Sequence, residues 1–271
     1  MQTLRVFAQA TRRVSPQREN MNALIATQKL TKRFNGLTAV NQVDFGVHEG
    51  QTSGIIGPNG SGKTTLFNLL SGYFPPSNGA IVFEGRDITR IPPHDRVKLG
   101  VGRTFQLVSV FTSLTVWENL VLTNIRFQHA EMSPLRFFFH SAQRAKILDD
   151  CAQALDWVGL SDKANASVAE LSYGDKRMLE IAVVLSLKPR LLLLDEPLAG
   201  LSDHEIAQVI ALIQRIKTER TVVIIEHKIS KIVDLVERLV VMNEGRLICD
   251  GVPDVVLRNP QVRECYWGKE D

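Results

Sequence analysis

The stretch "QTSGIIGPNGSGKTTLFNLLSG", residues 51–72, constrains this chain more than any other. Its centre, "GPNGSGKT", has the spacing G-x-x-x-x-G-K-[ST]. An apolar run that reads as a strand precedes it, and a stretch of helical spacing that stops at Gly72 follows it. Strand, glycine loop and helix in that order make a phosphate cradle. The glycines let backbone N–H groups turn inward without a side-chain clash, and the start of the helix adds its positive dipole end. The candidate cradle is Asn59, Gly60, Ser61, Gly62, Lys63, Thr64 and Thr65. Lys63 is placed to reach β- and γ-phosphates as a point charge. Thr64 offers its hydroxyl to Mg2+, and Thr65 reaches a further phosphate oxygen.

A cradle of this kind needs a sheet behind it. "LLLLDEP" and "TVVIIEH", residues 191–197 and 221–227, are continuous apolar runs. They read as strands buried on both faces of a parallel sheet. The first ends in Asp195 and Glu196, at the carboxyl end of the sheet where ligands bind. Asp195 is a candidate magnesium ligand, and Glu196 a general base that polarises an attacking water. His227 ends the second run and is a candidate γ-phosphate contact. Gln106, in "GRTFQ", is a weaker candidate whose amide oxygen suits magnesium or water.

The rest of the chain fits around that sheet. "ALIATQKLTKRF", "GLTAVNQVDFGVHEG" and "GAIVFEGRDI" read as strands with turns, and "RLVVMNEGRLICDG" as a hairpin turning at Asn243, Glu244 and Gly245. From about Thr104 to Lys188 the pattern turns helical, with "SLTVWENLVL" opening at a Ser or Thr cap. "SDHEIAQVIALIQRIKTE" is an amphipathic helix capped by Ser202. The expected fold is α/β: a P-loop NTPase core, RecA-like, with an antiparallel β subdomain and an inserted α-helical subdomain over roughly 107–188. The main domain runs over 24–251, and 252–271 form its C-terminal tail.

Composition weighs against several alternatives. A chain of 271 residues with 44% hydrophobic and 23% charged residues builds one sizeable core. A net charge of +3 argues against a nucleic-acid partner, which calls for a clustered basic face. The three cysteines are too widely spaced for a disulfide framework or a zinc pair. No apolar run approaches the roughly 20 residues of a membrane span. Residues 1–20 hold four arginines and one acid, a composition like that of a transit peptide. Residues 1–23 are expected to be an extension outside the domain, disordered or upstream of a true start at Met21.

The ordered set of these motifs, with "ELSYGDKR" at 170–177 and "AGLSD" at 199–203, resembles the nucleotide-binding subunit of an ABC transporter over about Leu24 to Gly251. "FNGLTAVNQVDF", "GVGRTFQ", "LTVWENL" and the C-terminal tail look like the branched-chain amino-acid (Liv-type) importer ATPases. The resemblance implies ATP hydrolysis coupled to transport, with ATP and Mg2+ bound. Phe34 would stack on adenine, Gln106 would form the Q-loop, Asp203 would end the D-loop and His227 would be the switch histidine. Ser172 and Gly174 would form a signature that completes the nucleotide site of a second ATPase subunit in a head-to-tail dimer. Two integral-membrane permease subunits and an external solute-binding protein would be separate chains, and this one would sit on the cytoplasmic face of the inner membrane. "PLRFFFH", residues 134–140, is a candidate docking surface. Urea or amide uptake, lipopolysaccharide export and a non-transport ABC protein acting on nucleic acid are the other readings. The signature departs from the usual pattern at Tyr173, where a small residue is usual, and at Asp175, where glutamine is usual. Asp175 should repel a polyphosphate unless Lys176, Arg177 or the helix dipole offsets it.

Overall fold

Alternate residues of the apolar strands feed two separate cores. Leu192, Leu194, Val222, Ile224, Leu239 and Val241 face one core, and Leu191, Leu193, Val223, Ile225, Val240 and Met242 face the other. A strand buried on both faces must be apolar throughout, and this is why these runs lack alternation. The structure is a computed structural model that describes residues 23–104, 110–128 and 141–267.

In chain order the elements are β1 (Ile25–Phe34), β2 (Leu37–Val43), β3 (Gly46–Val47), β4 (Thr52–Ile56), α1 (Lys63–Leu70), β5 (Asn78–Phe83), β6 (Arg86–Asp87), α2 (Pro93–Lys98) and β7 (Val101–Arg103). There follow α3 (Val116–Gln128), α4 (Ser141–Val158), α5 (Tyr173–Leu185), β8 (Leu191–Asp195), α6 (Asp203–Ile216), β9 (Thr221–Ile225), α7 (Ile229–Ile232), β10 (Arg238–Asn243), β11 (Arg246–Gly251), α8 (Pro253–Leu257) and α9 (Pro260–Trp267). The six-stranded sheet has the order β11-β10-β4-β9-β8-β7, parallel except for the β10–β11 hairpin. The second sheet, β2-β1-β5-β6 with β3 on β1, is antiparallel. It shares its core with α1 and one face of the six-stranded sheet. The helices α3, α4 and α5 share the core on the other face.

The three-residue strand β7 is too short to stand out from the helical stretch beside it. It pairs in parallel with β8, setting Arg103 opposite Leu193. The helix α3 starts at a capping box: Thr115 N–H donates to Glu118 Oε2 at 2.8 Å, and Glu118 N–H to Thr115 Oγ1 at 3.2 Å. Buried Asn124 on α3 donates to Ser186 Oγ at 2.8 Å, tying α3 to the end of α5. Fully buried Arg96 donates to the carbonyls of Leu69 (2.7 Å), Leu70 (2.8 Å), Ile88 (2.6 Å), Thr89 (3.1 Å) and Ile91 (2.9 Å). It satisfies the last carbonyls of α1 and ties that helix to the antiparallel sheet. No helix among the described residues is long and apolar enough to cross a membrane.

Candidate active site

The fully buried strand β4 ends at Ile56, and the chain then turns through glycines with positive φ at Gly60 (79°) and Gly62 (101°). A side chain at Gly62 would put its Cβ 2.3 Å from the Ala39 carbonyl oxygen, so the loop lies directly on β2. Lys63, only 5% exposed, donates from Nζ to the carbonyls of Gly57 (2.8 Å) and Pro58 (3.1 Å). Burial lowers its pKa, while the nearby Glu196 and Asp195 carboxylates oppose that shift. The ammonium, the loop and both carboxylates therefore share one locality. Ser61 is buried, Thr64 is exposed and Thr65 half-buried at the start of α1. On the helix α9, burial pushes the pKa of the Tyr266 hydroxyl up.

Asp195 is fully buried, and its Oδ2 accepts from Arg103 at 2.8 Å. Arg103 also donates to Asn68 Oδ1 (2.7 Å) and Ser71 Oγ (2.8 Å), which joins the end of β7 to α1 and β8. The second Asp195 oxygen, Oδ1, is buried without a hydrogen-bond partner. A buried bare carboxylate oxygen suits a hard divalent cation such as Mg2+, so the residues fit that ion. Burial raises the Asp195 pKa, and Arg103 opposes the shift.

Glu196 follows with φ at 48°, a left-handed conformation that swings its side chain out of the strand. Its Oε1 lies 3.0 Å from His227 Nε2, so the structure brings these two candidates into direct contact. Two residues outside the sequence candidates hold this turn. Arg177, fully buried on α5, donates to the Glu196 carbonyl at 2.9 Å and to Glu180 at 2.7 Å. Glu226, 2% exposed, accepts from the backbone of Leu198 (2.8 Å), His227 (3.0 Å) and Lys228 (3.4 Å).

Ser172 caps α5, its Oγ accepting from Asp175 N–H at 3.0 Å. The offset expected for Asp175 comes from elsewhere. Lys163, from the 3-10 turn Ser161–Lys163, donates to Asp175 Oδ2 at 2.8 Å, whereas Arg177 turns into the interior. Lys176 Nζ reaches the Ala169 carbonyl at 3.4 Å. Tyr173 has a packing reason for its size, since a Cβ on Gly200 would meet its ring at 3.1 Å. Tyr173 thus lies over the glycine of "AGLSD". Asp203, at the first turn of α6, has a side chain 93% exposed and 3.7 Å from Lys231 Nζ. Phe34, at the end of β1, is 41% exposed and meets Phe74 edge-on at a centroid distance of 5.3 Å. The candidate Gln106 and the stretch 134–140 lie outside the described residues.

The structure therefore brings together the loop lysine, Asp195, Glu196 and His227. It sets Ser172 and Gly174 on a separate helix start. The "ABC transporter" family model matches residues 40–199. The chain is 38% identical over 250 residues to the high-affinity branched-chain amino acid transport ATP-binding protein BraF of Pseudomonas aeruginosa, covering 91% of this chain and 98% of that protein. It is 36% identical over 255 residues to the corresponding LivG protein of Salmonella typhimurium, covering 91% of this chain and 98% of LivG. A nucleotide-free ATP-binding cassette from an ABC transporter superposes with a TM-score of 0.79 at 30% identity, covering 91% of this chain and 100% of that one.

Proposed function

The chain belongs to the ABC transporter family of ATP-binding proteins, and from that premise we propose that it is the ATP-hydrolysing subunit of an importer for branched-chain amino acids or a related small solute. Its relatives BraF and LivG are branched-chain amino acid transport ATP-binding proteins. The observation that carries the enzymatic reading is the contact between Glu196 and His227, 3.0 Å apart at the carboxyl ends of neighbouring strands β8 and β9.

In this reading Phe34 stacks on adenine and residues 59–65 hold the phosphates. Lys63 exchanges its loop carbonyls for phosphate oxygens, which are better partners for an ammonium. Thr64, Asp195 and Gln106 would hold Mg2+, which would neutralise phosphate charge when bound. Glu196 takes the proton of the attacking water, and His227 fixes the carboxylate's direction. Ser172 and Gly174 meet the γ-phosphate bound by a second subunit in a head-to-tail dimer, with Asp203 at the seam. Two permease subunits carry the solute, delivered by an external binding protein, and this subunit works at the cytoplasmic face of the inner membrane. Hydrolysis removes the bridging charge and reopens the dimer, which shifts the permeases between two states.

The test is Glu196→Gln. The variant is expected to bind ATP, lose nearly all phosphate release, and accumulate as an ATP-held dimer on size exclusion. Normal hydrolysis would overturn the general-base role.

A further inference from the structure

The helix α6 opens with "SDHE", and Glu205 does two things at once. Its Oε2 accepts from Ser202 N–H at 2.8 Å and from Ser202 Oγ at 2.6 Å, closing a capping box at its own helix. A capping box needs only that one oxygen. The other, Oε1, is turned to the start of α5, where a Cβ on Gly174 would stand 2.2 Å from it. Only a glycine at 174 leaves room for this approach. The Ser202 hydroxyl and amide hold the Glu205 carboxyl below its ordinary value, and the Gly174 N–H adds to that. The contact has a second anchor, because Tyr173 lies over Gly200, three residues before α6 begins. The signature turn and the start of α6 are therefore joined at both ends.

One of the first amides of α5 is hydrogen-bonded within the chain, and a second lies beside a carboxylate. Asp175 N–H is taken by Ser172 Oγ, and the Gly174 N–H faces Glu205. A phosphate arriving at Gly174 meets a carboxylate already there, and two anions repel at one helix start. We propose that Glu205 is a positioning residue that fills the anion-binding start of the signature helix within its own chain and is displaced by the γ-phosphate carried by the partner subunit. This rests on the head-to-tail reading above. It makes arrival of the nucleotide and release of α6 from the signature a single event. The subunit is thus held from closing until a triphosphate is present, since a diphosphate has no γ-phosphate with which to displace the carboxylate.

The experiment uses the full chain carrying Glu196→Gln, with and without Glu205→Gln, which keeps the shape of the side chain and removes its charge. Dimer formation is followed by light scattering against ATP concentration. The double variant is expected to dimerise at an ATP concentration lower by about threefold or more, the change that accompanies a charge at a helix start. ADP binding, followed by a fluorescent analogue, is expected not to move. An unchanged or raised ATP requirement would overturn the proposal and leave Glu205 as a cap alone. A second readout separates this from the premise. In the wild-type monomer, amide exchange at residues 172–176 should accelerate on Glu205→Ala, and an unchanged rate would show that Glu205 does not cover Gly174. If Glu196→Gln forms no ATP-held dimer at all, the head-to-tail reading falls, and with it the displacement step. The exchange result still reports the contact.

Discussion

Arg103 Nη2 lies 2.8 Å from Asp195 Oδ2, with the two side chains 6% and 0% exposed. A carboxylate sealed in that way needs a counter-charge, and Arg103 supplies it on one side while leaving Oδ1 bare. Breaking such a pair from one side strands a buried charge, which costs about 3–5 kcal/mol. Arg103→Met is therefore expected to lower unfolding stability by about 3 kcal/mol without nucleotide. Mg2+ with ATP should recover part of that loss by giving Asp195 another cation, so the variant gains more than the wild type from the ligand. Urea unfolding of both proteins with and without Mg2+ and ATP checks this. An equal gain in both would mean that Arg103 and the cation do not share Asp195.

The loop proposed to hold phosphate lies directly on β2. Gly62 has φ of 101°, and a Cβ there would approach the Ala39 carbonyl oxygen to 2.3 Å. Backbone oxygen in a paired strand does not move aside easily. Gly62→Ala is expected to cost more than about 2 kcal/mol, from left-handed backbone strain and this clash together. It should also abolish ATP binding. Gly60 has φ of 79° but open space around it, so Gly60→Ala carries the strain without the clash. The ranking of the two by thermal unfolding and by nucleotide-analogue fluorescence is the check, and equal losses would remove the clash as the cause.

His227 contacts Glu196 at 3.0 Å, and its backbone is fixed by the Glu226 carboxylate. An orienting partner of a general base contributes to turnover more than to binding. His227→Ala is expected to lower kcat by about 10²-fold or more with little change in KM. Steady-state phosphate release measures both. A rise in KM at constant kcat would place His227 on substrate binding instead.

How much of this was legible in the sequence follows from where the information lies. The glycine loop and the strands that lead to Asp195 and His227 announce themselves, because their constraints are local: glycines at fixed spacing, or apolar runs that need burial on both sides. The pairings of those ends were not legible. Arg103 and Asp195 are brought together by β7, a strand three residues long that pairs with β8 and has no periodicity to read. Arg177 and Glu226 read as ordinary charges, yet both are buried and build the turn that carries Glu196 and His227. A charge next to a fully apolar strand was the one available signal for Glu226. The partner of Asp175 was misjudged for a related reason. Its neighbours Lys176 and Arg177 were closest in sequence, but α5 turns Arg177 inward and the 3-10 turn delivers Lys163.

That ion pair gives the pH dependence a definite sign. Burial alone would raise the Asp175 pKa, but the Lys163 and Ser172 bonds outweigh it and leave the carboxyl below its ordinary value. A folded-state pKa below the unfolded one contributes stability above the unfolded value, about 3.9 for Asp, and that stability is lost as pH falls through the folded value. Lys163 behaves in the opposite sense. Asp175 raises its pKa, so its contribution is present below about 10.4 and is lost as pH rises through the folded value. The pair is partly exposed, so Asp175→Asn is expected to cost less than about 1 kcal/mol at pH 7. That difference should persist from about pH 5 to 9 and shrink below pH 4 and again above pH 10. Urea unfolding at these pH values checks it, and a difference that stays constant into acid would mean that Asp175 gains nothing from Lys163. The same pairing bears on what Asp175→Gln does to the ATP-held dimer. It removes a carboxylate and also frees the Lys163 ammonium, so both changes favour a polyphosphate. In the Glu196→Gln background, Asp175→Gln should lower the ATP needed for dimerisation, and adding Lys163→Met should reverse part of that gain.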